Sequence, residues 1–270
     1  METPDTPKTD IFDTLGFRWD RDALPSDIPV HSRERVLFRF KKMMPEVVWD
    51  ASVLEGNPFT FPEVKTLMDG ITVGGRKISD HEQVLNLAES SKALHALIWV
   101  GRFALSKSVF TGLNDLVARQ GVHEWGKFRG EGNVTNYTPA VALGEHGRYH
   151  PQPTQPGAPG LNRLFQEGVV ALQGCEPFER ATAFFLFGAL QQFFFEGNKR
   201  TSRHMMNGIL MSHGIDAISI PAAKAQEFNE KMVKFYLSLD GTEMMAFIAS
   251  CHPDAPEQSR DCRMGPGSRE

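Results

Sequence analysis

Cysteine is scarce: the 270-residue chain holds three, Cys175, Cys251 and Cys262, too far apart for a CxxC pair. One thiol stays unpaired in any intramolecular scheme, which argues against a disulfide-stapled secreted scaffold and suits a reducing cytosol. The longest apolar run is broken well short of the 18 residues of a membrane span. The start, Met1-Glu2-Thr3-Pro4, lacks the basic region and apolar segment of an export signal, so a cytoplasmic protein is expected. There is no basic excess either. A formal charge of -4 argues against a nonspecific nucleic-acid binder, though not against a small anion pocket. The GxxxxGK[ST] spacing of a P-loop is missing. Histidines are scattered, and nothing in their spacing favours a zinc site.

What remains is the composition of a globular chain, 41% hydrophobic and 23% charged, long enough to bury a substantial core. Residues 1–30 show little periodicity and read as an arm packing through Phe12, Leu15, Phe17 and Trp19. Apolar spacing predicts helices over 31–51, from 61 to Gly70, and over 79–98 and 106–118. Pro45 is expected to bend or divide the first. Residues 125–145, broken by glycines, read as hairpin material built on Val134, Tyr137, Val141 and Leu143. The proline-rich 151–160 reads as an extended loop. Helices resume at 161–173 and 177–194, the second with Pro177 at its opening. That segment is apolar on nearly every side and so reads as the central helix, its phenylalanines core. Further helices are expected at 201–212, 222–239 and 242–248, and from His252 onward the chain is expected to fray.

The informative stretch runs from Gln192 to Arg203. An apolar helix ends, a short Gly-containing turn follows, and a new helix begins near Lys199 or Arg200. Unpaired N–H groups and the helix dipole favour an anion at such a start. Gly197 permits a backbone conformation that a side chain obstructs. Lys199, Arg200 and Arg203 add positive charge, and Glu196 is placed to hold a divalent cation against bound phosphates. A helix–turn–helix joint whose arginines pair with surface carboxylates accounts for the charges equally well.

Residues 192–203 resemble the signature HxFx(D/E)GNGRxxR of the Fic (Fido) family at Phe194, Glu196, Gly197, Asn198, Arg200 and Arg203. Gly121–Asn133, with Gly126, Phe128 and Arg129, resembles the segment leading into that family's flap, and Pro151–Gly160 the connection after it. The resemblance implies an all-α core with a small β-hairpin flap, and transfer of AMP from ATP to a protein hydroxyl. It implies that Glu196 holds Mg²⁺, that Gly197, Asn198 and the turn amides hold phosphates, and that Arg200 and Arg203 bind phosphate oxygens. A target protein would dock on the flap around residues 126–145. The implied division is an arm at 1–30, a helical region at 31–100, the Fic core at 101–251 and a tail at 252–270.

Two positions depart from the pattern. The family's catalytic histidine is Gln192 here, and an amide cannot take a proton from an attacking hydroxyl. Lys199 stands where most members have Gly, so Asn198-Lys199-Arg200-Thr201 resembles the Doc toxin branch, which phosphorylates its target. His123, His146 and His150 are the candidate substitute bases. Upstream, Glu55-Gly56-Asn57 resembles the family's inhibitory motif, with Ala51 at the small hydroxyl position and Ser52 beside it. The resemblance implies that Glu55 pairs with Arg203; a helix cap or surface carboxylate is the plainer reading. The expectation is thus an atypical Fic-fold protein that binds a nucleotide or other phosphate-bearing ligand, with weak, altered or absent AMP transfer. Doc-like phosphoryl transfer and a noncatalytic binding or structural role are the alternatives.

Overall fold

The computed structural model describes residues 10–121 and 123–255. Cys262, residues 1–9 of the expected arm and residues 256–270 of the expected tail lie outside the described residues. Ten α-helices are described, α1 (Ile11–Leu15), α2 (Arg33–Val53), α3 (Phe61–Met68), α4 (Ile78–Trp99), α5 (Lys107–Val117), α6 (Pro159–Leu172), α7 (Pro177–Gln191), α8 (Asn198–Ser212), α9 (Ala225–Ser238) and α10 (Thr242–Ser250), with an antiparallel pair β1 (Val141–Ala142) and β2 (Arg148–Tyr149) between α5 and α6.

Local chemistry explains most helix starts. Ser32 accepts the Arg35 N–H at 3.3 Å before α2, and Ser106 accepts the Val109 N–H at 3.4 Å before α5. Thr60 and Glu63 form a capping box at α3, satisfying donors that the helix itself leaves unpaired. Pro159 and Pro177 open α6 and α7, where a missing N–H costs nothing.

Helix α7 is the centre of the molecule. Every residue from Ala181 to Leu190 is buried, which is why its sequence shows no polar face. It packs on α8 closely enough that a Cβ on Gly188 would land on Ser202 Oγ. Phe110 of α5 meets Phe128, Phe165, Phe184, Phe193 and Phe194, mostly edge to face, the arrangement the ring quadrupole favours. The arm is pinned beneath α7: Leu15, Phe17 and Trp19 are buried, and Trp19 Nε1 donates to Glu179 at 2.8 Å.

Five expectations are corrected. Helix α2 runs unbroken through Pro45, because Val36, Leu37, Phe40, Met44, Val47 and Val48 bury one continuous face and outweigh the roughly 3 kcal/mol proline penalty. Helix α7 stops at Gln191, and Phe193 and Phe194 enter the core from the turn after it. The hairpin pairs Val141 with Tyr149 and Ala142 with Arg148, later than expected from residues 125–145. The stretch before it forms no strand because Phe128 and Arg129 are drawn fully into the core and the Arg129 N–H bonds Phe193 O at 2.9 Å. Residues 252–255 form a packed turn with His252 buried, and the proline-rich loop yields to α6 at Pro159.

Among the described residues, no helix is long and apolar enough to cross a membrane.

Candidate functional site

The candidate site is the turn between α7 and α8. Gln192 caps α7 in the left-handed conformation, φ 49°, which is uncommon for a side-chain-bearing residue. Three bonds hold it there. Its Nε2 donates to Ala189 O at 2.6 Å, its Oε1 accepts from Asn198 Nδ2 at 3.0 Å, and its carbonyl accepts from Arg129 Nε at 2.6 Å. The residue is 8% exposed.

Gly197, at φ 75°, turns the chain into α8. Asn198 braces the turn from within: Oδ1 accepts the Phe194 N–H at 2.9 Å, and Nδ2 also reaches Phe194 O at 2.8 Å. From α5, buried Asn114 donates to Glu196 O at 3.0 Å and to Thr201 Oγ1 at 3.2 Å. The first bond of α8 joins the Thr201 N–H to Gly197 O at 2.8 Å, so the N–H groups of Asn198, Lys199 and Arg200 lie ahead of the helical ladder, where an anion is favoured. The Glu196 side chain points to the chain just after α5, its Oε2 2.6 Å from where a Cβ on Gly121 would stand.

Arg200 and Arg203 project from the first turns of α8 and are mostly buried, with side chains 13% and 8% exposed. Glu55, in the turn after α2, meets both. Arg203 Nη2 donates to Glu55 Oε1 at 3.2 Å, and Arg200 Nε lies 3.8 Å from Oε2, an ion pair too long for a hydrogen bond. Buried Arg203 Nη1 has no hydrogen-bond partner among the described residues. Burial alone pushes the Glu55 carboxyl up, but Lys199, Arg203 and Arg200, with the Arg203 hydrogen bond, pull it down to about 2. Burial in turn lowers the Arg203 pKa, against the pull of Glu55. Next along α8, buried His204 bonds Ser90 Oγ at 2.7 Å; burial, then its arginine neighbours, holds its pKa down to about 3, so the ring is neutral.

A depressed carboxyl pKa contributes stability that is fully present above the unfolded value of 4.5 and lost as pH falls through about 2. A Glu55→Gln variant should therefore trail the parent in urea midpoint by a constant margin near neutral pH. That margin should narrow below about pH 4.5. A margin unchanged down to pH 3 would mean that the guanidiniums do not hold this carboxylate.

The structure thus brings Gln192, Glu196, Gly197, Asn198, Lys199, Arg200 and Arg203 into one turn and sets Glu55 against its arginines. Ser52 is fully buried and donates to Trp49 O at 2.7 Å. His123 packs at a tilt against Tyr137 and Phe195, with centroids at 4.7 and 5.4 Å. His146 sits in the bend of the hairpin, 3.8 Å from Glu145, and His150 follows β2, exposed. None of the three is hydrogen-bonded to Gln192 among the described residues.

Sequence reasoning missed the polar floor under Gln192. Tyr236 of α9 donates to Ala189 O at 2.8 Å and also meets the Gln192 side chain; burial pushes its phenol far up, with Tyr149 and Glu55 adding to this. Tyr149 of β2 packs on Tyr236 with centroids 5.1 Å apart. Arg129 spans the rest: besides the Gln192 carbonyl it reaches Thr154 Oγ1 at 2.8 Å and Gln152 O at 2.7 Å. Burial lowers its pKa to about 10, with Tyr149 opposing, so it stays a cation at the C-terminus of α7, where the helix dipole favours one. Arg129 stands out in the sequence only by the resemblance of its segment, and no local pattern gives it, Tyr149 or Tyr236 these partners, which lie far away in the chain.

A buried helix, a braced turn and a second helix carrying two arginines, with a short hairpin alongside, define an all-α protein with an arginine-flanked turn at its centre. Its fold is that of the Fic-domain proteins. The structure matches Fic-1 from C. elegans (TM-score 0.65, 17% identity, covering 90% of this chain and 67% of that chain). It also matches a Fic domain containing signaling protein from Bacteroides thetaiotaomicron (TM-score 0.66, 17% identity, 89% of this chain and 90% of that chain). A Fic family protein from Desulfovibrio desulfuricans is similar as well (TM-score 0.62, 15% identity, 94% and 75%). No family model matches the sequence, and no curated protein matches it significantly.

Proposed function

We propose that the turn from Glu196 to Arg203 binds the phosphates of a nucleotide, ATP with Mg²⁺, and that AMP transfer to a protein hydroxyl is weak or absent in the parent chain. One observation carries this reading. Two mostly buried arginines meet at a helix N-terminus, and the carboxylate they share leaves Arg203 Nη1 with an unused hydrogen-bonding valence. A buried guanidinium without full pairing is costly, and two oxygens of a phosphate offer the two-point partner that this planar fork lacks.

In this reading the amides of Asn198 to Arg200 and both guanidiniums hold phosphate oxygens. Asn198 keeps the turn in shape, since its side chain is spent on Gln192 and Phe194. Glu196 supplies the hard oxygen that Mg²⁺ accepts. The ion, when bound, neutralises charge that builds up on the phosphates during transfer. Glu55 occupies Arg203 and acts as the restraint. Gln192 has its acceptor oxygen engaged and no basic atom, so no group at that position takes the proton from an attacking hydroxyl. A target protein would dock on the hairpin by strand addition, using main-chain bonds.

Calorimetry with ATP and Mg²⁺ tests this. Weak saturable binding is expected for the parent chain and tighter binding for Glu55→Gly, which frees Arg203. Absence of saturable binding in both would remove the proposal.

A further inference from the structure

A second cluster of charged side chains lies away from the turn. His31 precedes α2, Asp216 follows α8, and Asp254 belongs to the turn after α10. His31 Nε2 is 3.6 Å from Asp216 Oδ2 and 3.3 Å from Asp254 Oδ2, and one ligand atom from each residue lies within 4.8 Å of the others. The cluster is partly enclosed: the side chain of Asp216 is 3% exposed, that of His31 16% and that of Asp254 32%. Neighbouring ligands of a tetrahedral zinc ion, each about 2.0–2.1 Å from the metal, stand about 3.3 Å apart. The two measured edges are close to that value.

Two details suit a cation here, and a third leaves a buried hydrogen-bond donor beside the cluster unmet. Arg39 Nη1 already stands against the two carboxylates, 2.5 Å from Asp216 Oδ2 and 3.4 Å from Asp254 Oδ2. One guanidinium against two carboxylates leaves a net negative charge, and the Arg39 side chain, 28% exposed, has a way out to solvent. Asp216 Oδ1 is buried with no hydrogen-bond partner among the described residues, so the least exposed carboxylate of the cluster has an acceptor that no protein group uses, and such a group is expensive to leave unmet. His252 accepts the Asp254 N–H at Nδ1, 3.2 Å, which places the proton of its neutral ring on Nε2. That buried N–H also lacks a partner among the described residues. Around the cluster there is thus coordinating and hydrogen-bonding capacity that the protein alone does not satisfy.

We infer that His31, Asp216 and Asp254 form a binding site for a divalent transition metal, zinc in the first instance. One imidazole nitrogen and two carboxylate oxygens are the donors zinc takes, and a water completes four-coordination. Arg39 turns outward as the ion enters. The site clamps three distant stretches of chain. The His31 N–H already bonds Gly214 O at 2.7 Å, so the start of α2 lies against the end of α8, whereas Glu55 and Arg203 join the end of α2 to the start of α8. The two helices therefore run antiparallel, held at one end by the Glu55 pair and at the other by the metal. The inference does not depend on nucleotide binding.

The test is titration of the chelator-stripped full chain with ZnCl₂, followed by calorimetry and thermal melting. The expected result is one saturable zinc per chain and a melting temperature higher in zinc than in EDTA. His31→Gln and Asp254→Asn, both at partly exposed positions that tolerate substitution, should each weaken zinc binding about tenfold or more. Asp216→Asn should do the same if it folds. Arg39→Gln should bind zinc at least as tightly as the parent. Failure of the parent to bind one zinc saturably overturns the inference. So does uptake unchanged in His31→Gln and Asp254→Asn, which would place the ion elsewhere. Uptake confined to Arg39→Gln overturns it too, since the arginine would then be the resident cation.

Discussion

The double variant Glu55→Gly, Gln192→His is expected to transfer AMP to protein at least tenfold faster than Glu55→Gly alone, since a positioned general base contributes about 10²–10⁴-fold. Gln192 sits at positive φ, a conformation histidine enters more readily than most residues. The one unprotonated nitrogen of a neutral imidazole there can take a proton near pH 7, provided that Asn198 leaves it free. Removing Glu55 matters equally, because its carboxylate is bonded to Arg203 and competes with phosphate for the same donors. The measurement is incorporation of label from ATP carrying it on the α- or the γ-phosphate. α-label on protein marks AMP transfer; γ-label would mean that Lys199 directs a Doc-like phosphoryl transfer. No incorporation of either in the double variant, despite nucleotide binding, would show that restoring the base and lifting the restraint are not enough.

Replacing Arg129 with Met should lower the melting temperature by about 10 °C. The guanidinium is fully buried and serves the Gln192 carbonyl, the Gln152 carbonyl and Thr154 Oγ1. Methionine fills similar space but takes the guanidinium donors from the two carbonyls, a loss of roughly 2–6 kcal/mol at about 1–3 kcal/mol per buried group, while Thr154 Oγ1 keeps Thr138 Oγ1. In a domain of this size each kcal/mol moves the midpoint by roughly 2–4 °C. Lys should recover only part, since one ammonium cannot span three acceptors set around a planar fork. A shift below about 2 °C would show that Arg129 does not staple the segment before the hairpin to the end of α7.

Legibility in the sequence followed the range of the interaction. The helices were visible because burial repeats every three or four residues, and Ser32, Thr60, Ser106 and Pro177 mark starts through neighbours only a few positions away. The turn at Gly197 was visible for the same reason: its glycine, amides and arginines fall within one short stretch. The hairpin was misplaced because the glycines before it resemble strand punctuation. What keeps 125–140 out of a sheet is the burial of Phe128 and Arg129 against residues more than sixty positions away.

From its residues alone the chain determined an apolar central helix, a glycine-containing turn after it with positive charge on the next helix, and an amide at position 192, since each depends on residue identity and nearest neighbours. Only the tertiary structure decided which charges face each other. Glu55 reaches Arg203, Arg129 reaches Gln192, and His31 reaches Asp216 and Asp254 because packing α2, α7 and α8 around one core brings distant side chains within ion-pair distance. Such pairings carry no periodic trace along the chain, as electrostatic energy depends on separation in space and not on spacing in sequence.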